Sequence, residues 1–130
     1  MAKQRTFLDV LAERVLIYDG AMGTNIQTYN LNATDFGGKE GCNDFLVITR
    51  PDVIEEIHAS FCAVGVDVLE TNTFGANRLK LAEYGLVERH DEINRAAVAV
   101  ARRAADRYAT TEHPIFIAGS LGPTGMLPSS

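Results

Sequence analysis

The chain has 130 residues, 46% hydrophobic and 22% charged, with a net charge of −5. That length supports one domain with a core, and the acidic balance leaves no electrostatic footprint for nucleic acid or an anionic membrane. No apolar run approaches the roughly 18 residues that span a bilayer, and the charged start MAKQRTFLDVLAERV lacks the apolar core of a secretion signal, so a cytoplasmic location is the expectation.

In chain order, Thr6–Arg14 places Phe7, Leu8, Val10 and Leu11 on one side of a short helix, with Thr6 as its cap. Val15–Tyr18 is a brief apolar run closed by Asp19-Gly20 and reads as a buried strand. From Thr24 to Val47 the recurring Asn, Asp and Gly predict an irregular loop of about 20 residues, a length that is usually functional or disordered. A helix then starts at Pro51, with Thr49 and Asp52 in capping-box arrangement. Val53, Ile54, Ile57, Phe61 and Val64 keep helical spacing, and Gly65 supplies the stop.

Val66–Leu69 is the second strand and runs into Glu70-Thr71-Asn72-Thr73. ANRLKLAEYGL is compatible with a helix broken at Gly85. Asp91–Tyr108 is a strong helix with Ile93, Ala96, Ala97, Val100, Ala101 and Ala104 in one stripe and arginines on a solvated face. Ile115–Ala118 is the third strand, ending on GSLGPTG. Strands that alternate with helices predict parallel βα units with right-handed crossovers, an α/β fold.

In such folds the C-terminal ends of the strands carry the site. Here those ends read DGAMGT, ETNTFGAN and GSLGPTG. Asp-Gly or Gly-Pro alone is ordinary turn punctuation, whereas three polar, glycine-rich ends on one rim form a pattern. An acid at a strand mouth pays for burial unless a partner is present, so Asp19 and Glu70 together suit an α-amino group, or acid–base work. The bare backbone of Gly20, Ala21 and Gly23 offers N–H donors to a carboxylate. Amine plus carboxylate suggests an amino-acid ligand. DGAMGTN lacks the G-x-G-x-x-G spacing, and GSLGPTG has proline where a phosphate-binding helix would begin, which argues against a nucleotide.

The two cysteines, Cys42 and Cys62, belong to no paired motif and read as reduced thiols; with three scattered histidines they make no metal set. Cys62 reads as a small buried hydrophobe, and nothing near Cys42 marks it as reactive. His58 reads as a helix-surface or core-edge residue, and His90 and His113 fall in turns without a sequence partner.

DGAMGT, CNDFLVITRPDVIEEIH, ETNTFGANRLKL and IAGSLGPTG, in that order, closely resemble the start of the homocysteine S-methyltransferase domain, nearest its cobalamin-dependent branch. The resemblance runs from about Phe7 to Pro128. It implies that residues 1–130 are a partial homocysteine-binding domain, the N-terminal portion (about three βα units) of a (β/α)8 TIM barrel. The implied activity is methyl transfer to the sulfur of homocysteine, giving methionine. By the same resemblance Asp19 helps hold the homocysteine amine, Gly20 and Ala21 approach its carboxylate, and Glu70, Thr71, Asn72 and Thr73 line the same pocket. It also implies zinc for the full-length domain, on cysteines that nothing here matches, and cobalamin and folate on other modules of a longer chain. No catalytic residue and no metal ligand is carried over. Three strands cannot close a barrel, so this stretch alone is expected to be inactive. The alternatives are a relative using betaine or S-methylmethionine as donor, a barrel fused to a methylenetetrahydrofolate reductase, and a non-catalytic amino-acid-binding module.

Overall fold

The computed structural model describes residues 4–128. Its elements are α1 (Phe7–Glu13), α2 (Met22–Gln27), α3 (Leu46–Thr49), α4 (Pro51–Ala63), β1 (Val68–Glu70), α5 (Arg78–Ala82), α6 (His90–Tyr108) and β2 (Phe116–Ala118). Short 3-10 turns, Asn43–Phe45 and Val87–Arg89, lead into α3 and α6.

Thr6 caps α1 as its sequence predicts: its hydroxyl accepts from Asp9 N–H while the Asp9 carboxylate accepts from Thr6 N–H. β1 and β2 run parallel, with Val68 opposite Phe116 and Glu70 opposite Ala118. On the other side of β1 the segment before Asp19 lies parallel too, bridged at Tyr18 and Val68. Ile17 C=O accepts from Asp67 and Val68 N–H, at 2.8 and 3.1 Å, and Asp19 N–H donates to Val68 C=O at 3.0 Å. The spatial order is therefore first segment, β1, β2, with α4 and α6 as the crossovers. These two helices pack on one another and on β1.

Val53, Ile54 and Ile57 of α4 join Ile93, Ala97 and Val100 of α6 in the larger core cluster; Leu69, Cys62, Ala104 and Ile115 anchor the smaller one. Arg103 and Arg107, read from sequence as solvated, both reach Glu55 of α4, at 2.7 and 3.3 Å, and strap the two helices together.

Four sequence expectations are corrected here. Val15–Tyr18 is not a buried strand: Val15 is 77% exposed and Ile17 55%, and the segment pairs with β1 only through the isolated bridge of Tyr18 and Val68. The stretch from Thr24 to Val47 is not all irregular; Ile26 of α2 and Phe45, Leu46 and Val47 sit in the core and draw helical turns around them. The capping box at Thr49 does not form. Arg50 takes the cap position, and its guanidinium binds Asp52 and Asp35 instead. His58 is wholly buried, and neither ring nitrogen finds a partner. The stop at Gly65 does form, with φ at +97°, a conformation that favours glycine.

At the N-terminal end of β1 the carboxylate of buried Asp67 gathers three segments. Arg14 binds it through both guanidinium ends at 2.8 and 2.9 Å, Ile17 N–H donates at 2.8 Å, and His113 Nε2 lies 2.9 Å away. The Arg14 guanidinium, above all, holds this carboxyl down at about 2.

Candidate functional site

At the opposite, C-terminal end the three strand-end loops meet around an open hollow of about 700 Å³. Asp19, Gly20, Ala21, Glu70, Thr71 and Asn72 all line it. Thr73 does not. Its hydroxyl lies 2.7 Å from the Thr71 hydroxyl and donates to Ser120 C=O at 2.8 Å, so it joins the loop after β1 to the loop after β2.

Asp19 is partly buried, and its Oδ1 accepts the N–H of Glu70 at 3.1 Å. Burial, opposed by that hydrogen bond and reinforced by the Glu70 charge, pushes its carboxyl up to about 6. Glu70 itself is exposed, so the expected cost of burying it does not arise. Neither Gly20 nor Gly23 has a positive φ, and a Cβ there would meet only Phe61 at 3.4 Å or Asn43 at 3.6 Å. Folding makes no strong demand for glycine at either place, and the floor of the hollow is bare. Among the described residues, no acceptor takes the N–H of Gly20 or Ala21.

Among the lining residues that sequence reasoning missed are Asn43 and Asp44. Their signal was legible: a polar Asn-Asp pair directly before the apolar run Phe45-Leu46-Val47, which pins the turn to the core. Asp44 Oδ2 accepts Gly75 N–H at 3.0 Å, and burial raises the Asp44 carboxyl above the ordinary range. The wall therefore carries three carboxylates, from Asp19, Asp44 and Glu70, and no lysine or arginine lines it. Asp44 is engaged by Gly75, which leaves Asp19 and Glu70 as the carboxylates whose charge suits a cation, and free backbone N–H groups beside Asp19 suit a carboxylate.

The family model described as Homocysteine S-methyltransferase matches residues 16–130. The chain belongs to the homocysteine S-methyltransferase family. It is 44% identical over 122 residues to a methionine synthase of Mycobacterium tuberculosis (strain ATCC 25618 / H37Rv) and 43% identical over 122 residues to one of Mycobacterium leprae (strain TN); each match covers 94% of this chain. The chain spans 10% of the length of these two relatives. Among solved structures, it is similar to the homocysteine methyltransferase MmuM from Escherichia coli. The metallated form gives a TM-score of 0.72 at 25% identity, and the oxidized form 0.73 at 26%. Those matches cover 89% of this chain and 41% and 40% of the solved ones.

The zinc that membership of this homocysteine S-methyltransferase family implies does not fit the residues described here. Among them no three His, Cys, Asp or Glu side chains are grouped to hold a metal. Cys42 and Cys62 are buried in separate clusters, and burial pushes both thiols up, Cys62 to about 11. Such thiols stay protonated at neutral pH, whereas a zinc ligand is a thiolate. No described helix is long and apolar enough to cross a membrane.

Proposed function

We propose that this chain is the N-terminal portion of a homocysteine S-methyltransferase barrel, about three βα units, of the kind found in methionine synthase, and that the hollow at its strand ends binds homocysteine. The observation that carries the reading is the composition of the hollow: the carboxylates of Asp19 and Glu70, no cationic side chain, and a bare N–H-bearing backbone.

The roles follow from chemistry. The Asp19 carboxylate, ionised above about 6, receives the substrate ammonium, with Glu70 adding negative potential at the rim. The N–H groups of Gly20 and Ala21 receive the substrate carboxylate. Asn72 is spent on structure: its amide donates to Asn43 C=O at 2.9 Å. Gripping both ends of the zwitterion fixes the direction of the thiol-bearing side chain, which lowers the entropy cost of the reaction step. Activation of the sulfur and delivery of the methyl group, with their zinc and cobalamin, belong to parts of the enzyme other than this stretch. The partners are then homocysteine and further modules of the same protein.

Calorimetric titration of the intact protein with L-homocysteine tests the reading, with D-homocysteine and the des-amino analogue 4-mercaptobutyrate as controls. Binding of the L-amino acid alone is the expected result. Equal binding of 4-mercaptobutyrate overturns it, because the carboxylates would then have no ammonium to recognise.

A further inference from the structure

The loop after β1 is held at both ends by carboxylates that come from other loops. At its start, Glu70 N–H donates to Asp19 Oδ1 at 3.1 Å; at its end, Gly75 N–H donates to Asp44 Oδ2 at 3.0 Å. Between them, the Asn72 amide donates to Asn43 C=O at 2.9 Å. Asp44 makes a firm post for this attachment. The next three residues, Phe45, Leu46 and Val47, are all in the core, so its turn cannot drift. Gly75 packs directly on the carboxylate: a Cβ there would lie 2.8 Å from Asp44 Oδ1, a distance that real Cβ contacts essentially never show.

We propose that Asp44 is a positioning residue of the amino-acid hollow: it anchors Gly75, and through Gly75 sets the path of the Glu70–Gly75 loop that forms the hollow's wall. The inference rests on the functional reading above only for the identity of the ligand. Asp44 acts through the loop and not on the ligand, although it lines the same space. What matters is therefore its acceptor oxygen and not its charge. An asparagine keeps an acceptor oxygen at this place, whereas an alanine does not.

Three variants of the intact protein separate these roles: Asp44→Asn, Asp44→Ala and Gly75→Ala. Each is read by homocysteine affinity and, without ligand, by amide hydrogen exchange at Gly75. Loss of the bond should speed that exchange and weaken binding by about tenfold or more in Asp44→Ala and Gly75→Ala, while Asp44→Asn stays within about threefold of the parent in both. Gly75→Ala leaves the carboxylate in place, so it keeps the test alive should Asp44→Ala fail to fold. Two results overturn the proposal. One is Asp44→Asn losing affinity as severely as Asp44→Ala while Gly75 stays protected, which makes Asp44 a charge on the ligand. The other is unchanged exchange at Gly75 in both alanine variants. A parent protein that binds no homocysteine sinks the functional reading alone, and the exchange rates then still support or overturn the anchor.

Discussion

Asp19 and Glu70 stand at the C-terminal ends of neighbouring parallel segments, and the carboxylate of one accepts the backbone N–H of the other at 3.1 Å. The group proposed to receive the substrate ammonium is thus also a bracket between two loops. Its position, partly buried and near a second negative charge, is costly when the ligand is absent.

That cost gives the first prediction. An acid raised from 3.8 to about 6 on folding binds its proton more tightly in the folded state. Its ionisation therefore weakens the fold as pH rises from about 4 to about 6, and the full cost is present at neutral pH. Asp19→Asn should stabilise the intact protein at pH 7.5 by ~1 kcal/mol, discounted for the open site. The same change should weaken homocysteine binding by about tenfold or more. Thermal melts and titration calorimetry on one preparation read both; a variant less stable than its parent contradicts the argument.

Homocysteine affinity should itself depend on pH. Below about 6 Asp19 is protonated and loses its attraction for ammonium, so affinity falls about tenfold per unit. In Asp19→Asn this limb disappears. Titrations between pH 5 and 8 in a constant-ionic-strength buffer decide the matter.

His58 works in the opposite sense. Burial alone lowers its imidazole from 6.5 to about 4, and both ring nitrogens lack partners. The unfolded chain binds the proton first, so stability is complete above about 6.5 and is lost as pH falls toward about 4, by up to ~3 kcal/mol. His58→Leu should flatten that decline and leave stability at pH 7.5 equal or higher, since it removes two unsatisfied polar atoms. Urea melts at pH 5 and pH 7.5 compare the two proteins.

Asp67 should matter to stability more than to binding. Its carboxylate joins Arg14, Ile17 and His113 at the end of β1 away from the hollow. Asp67→Ala strands a guanidinium and a backbone N–H and should cost on the order of 3 kcal/mol. Whatever folded protein remains should bind homocysteine within about threefold of the parent, because the rim is untouched. A large loss of affinity in well-folded protein would show that the two ends of the sheet are coupled.

Gly122 offers a test of the loop after β2. A Cβ at this position would collide with the carbonyl oxygen of Phe74, so backbone must shift to admit one. Gly122→Ala should lower the melting temperature and disturb the loop after β1, read as faster amide exchange at residues 71–75. Gly119→Ala, where a Cβ meets open space, is the matched control.

The order of helices and strands, and the meeting of three polar loops, were legible because each strand is an apolar run that stops abruptly on an acid or glycine. Asp19, Gly20 and Glu70 could be placed on one rim by that rule alone. The burial of His58 was missed because imidazoles are mostly exposed or half-buried, although His58 stands four residues from Ile54 and from Cys62, both buried on the same face of α4. Asn43 and Asp44 were overlooked for a different reason, although the apolar run after them carried the signal. The glycines before them made the whole stretch read as irregular loop, although Ile26 and Phe36 within it are core residues. Thr73 was placed in the right loop, but its hydroxyl turns to the loop after β2, since alternation along a loop does not reveal which hydroxyl faces a neighbouring loop.

The cross-loop bonding of Thr71 and Thr73 with Ser120, of Asn72 with Asn43 and of Gly75 with Asp44 makes the rim one interlocked piece. A single loop grafted from a relative would arrive without its complement, so productive chimeras must exchange these segments in matched sets. Freedom to reshape the hollow then falls to Ala21, Met22 and Phe74, its apolar lining side chains. Evolution of a new specificity on this scaffold would start with those three, leaving the polar lattice inherited whole.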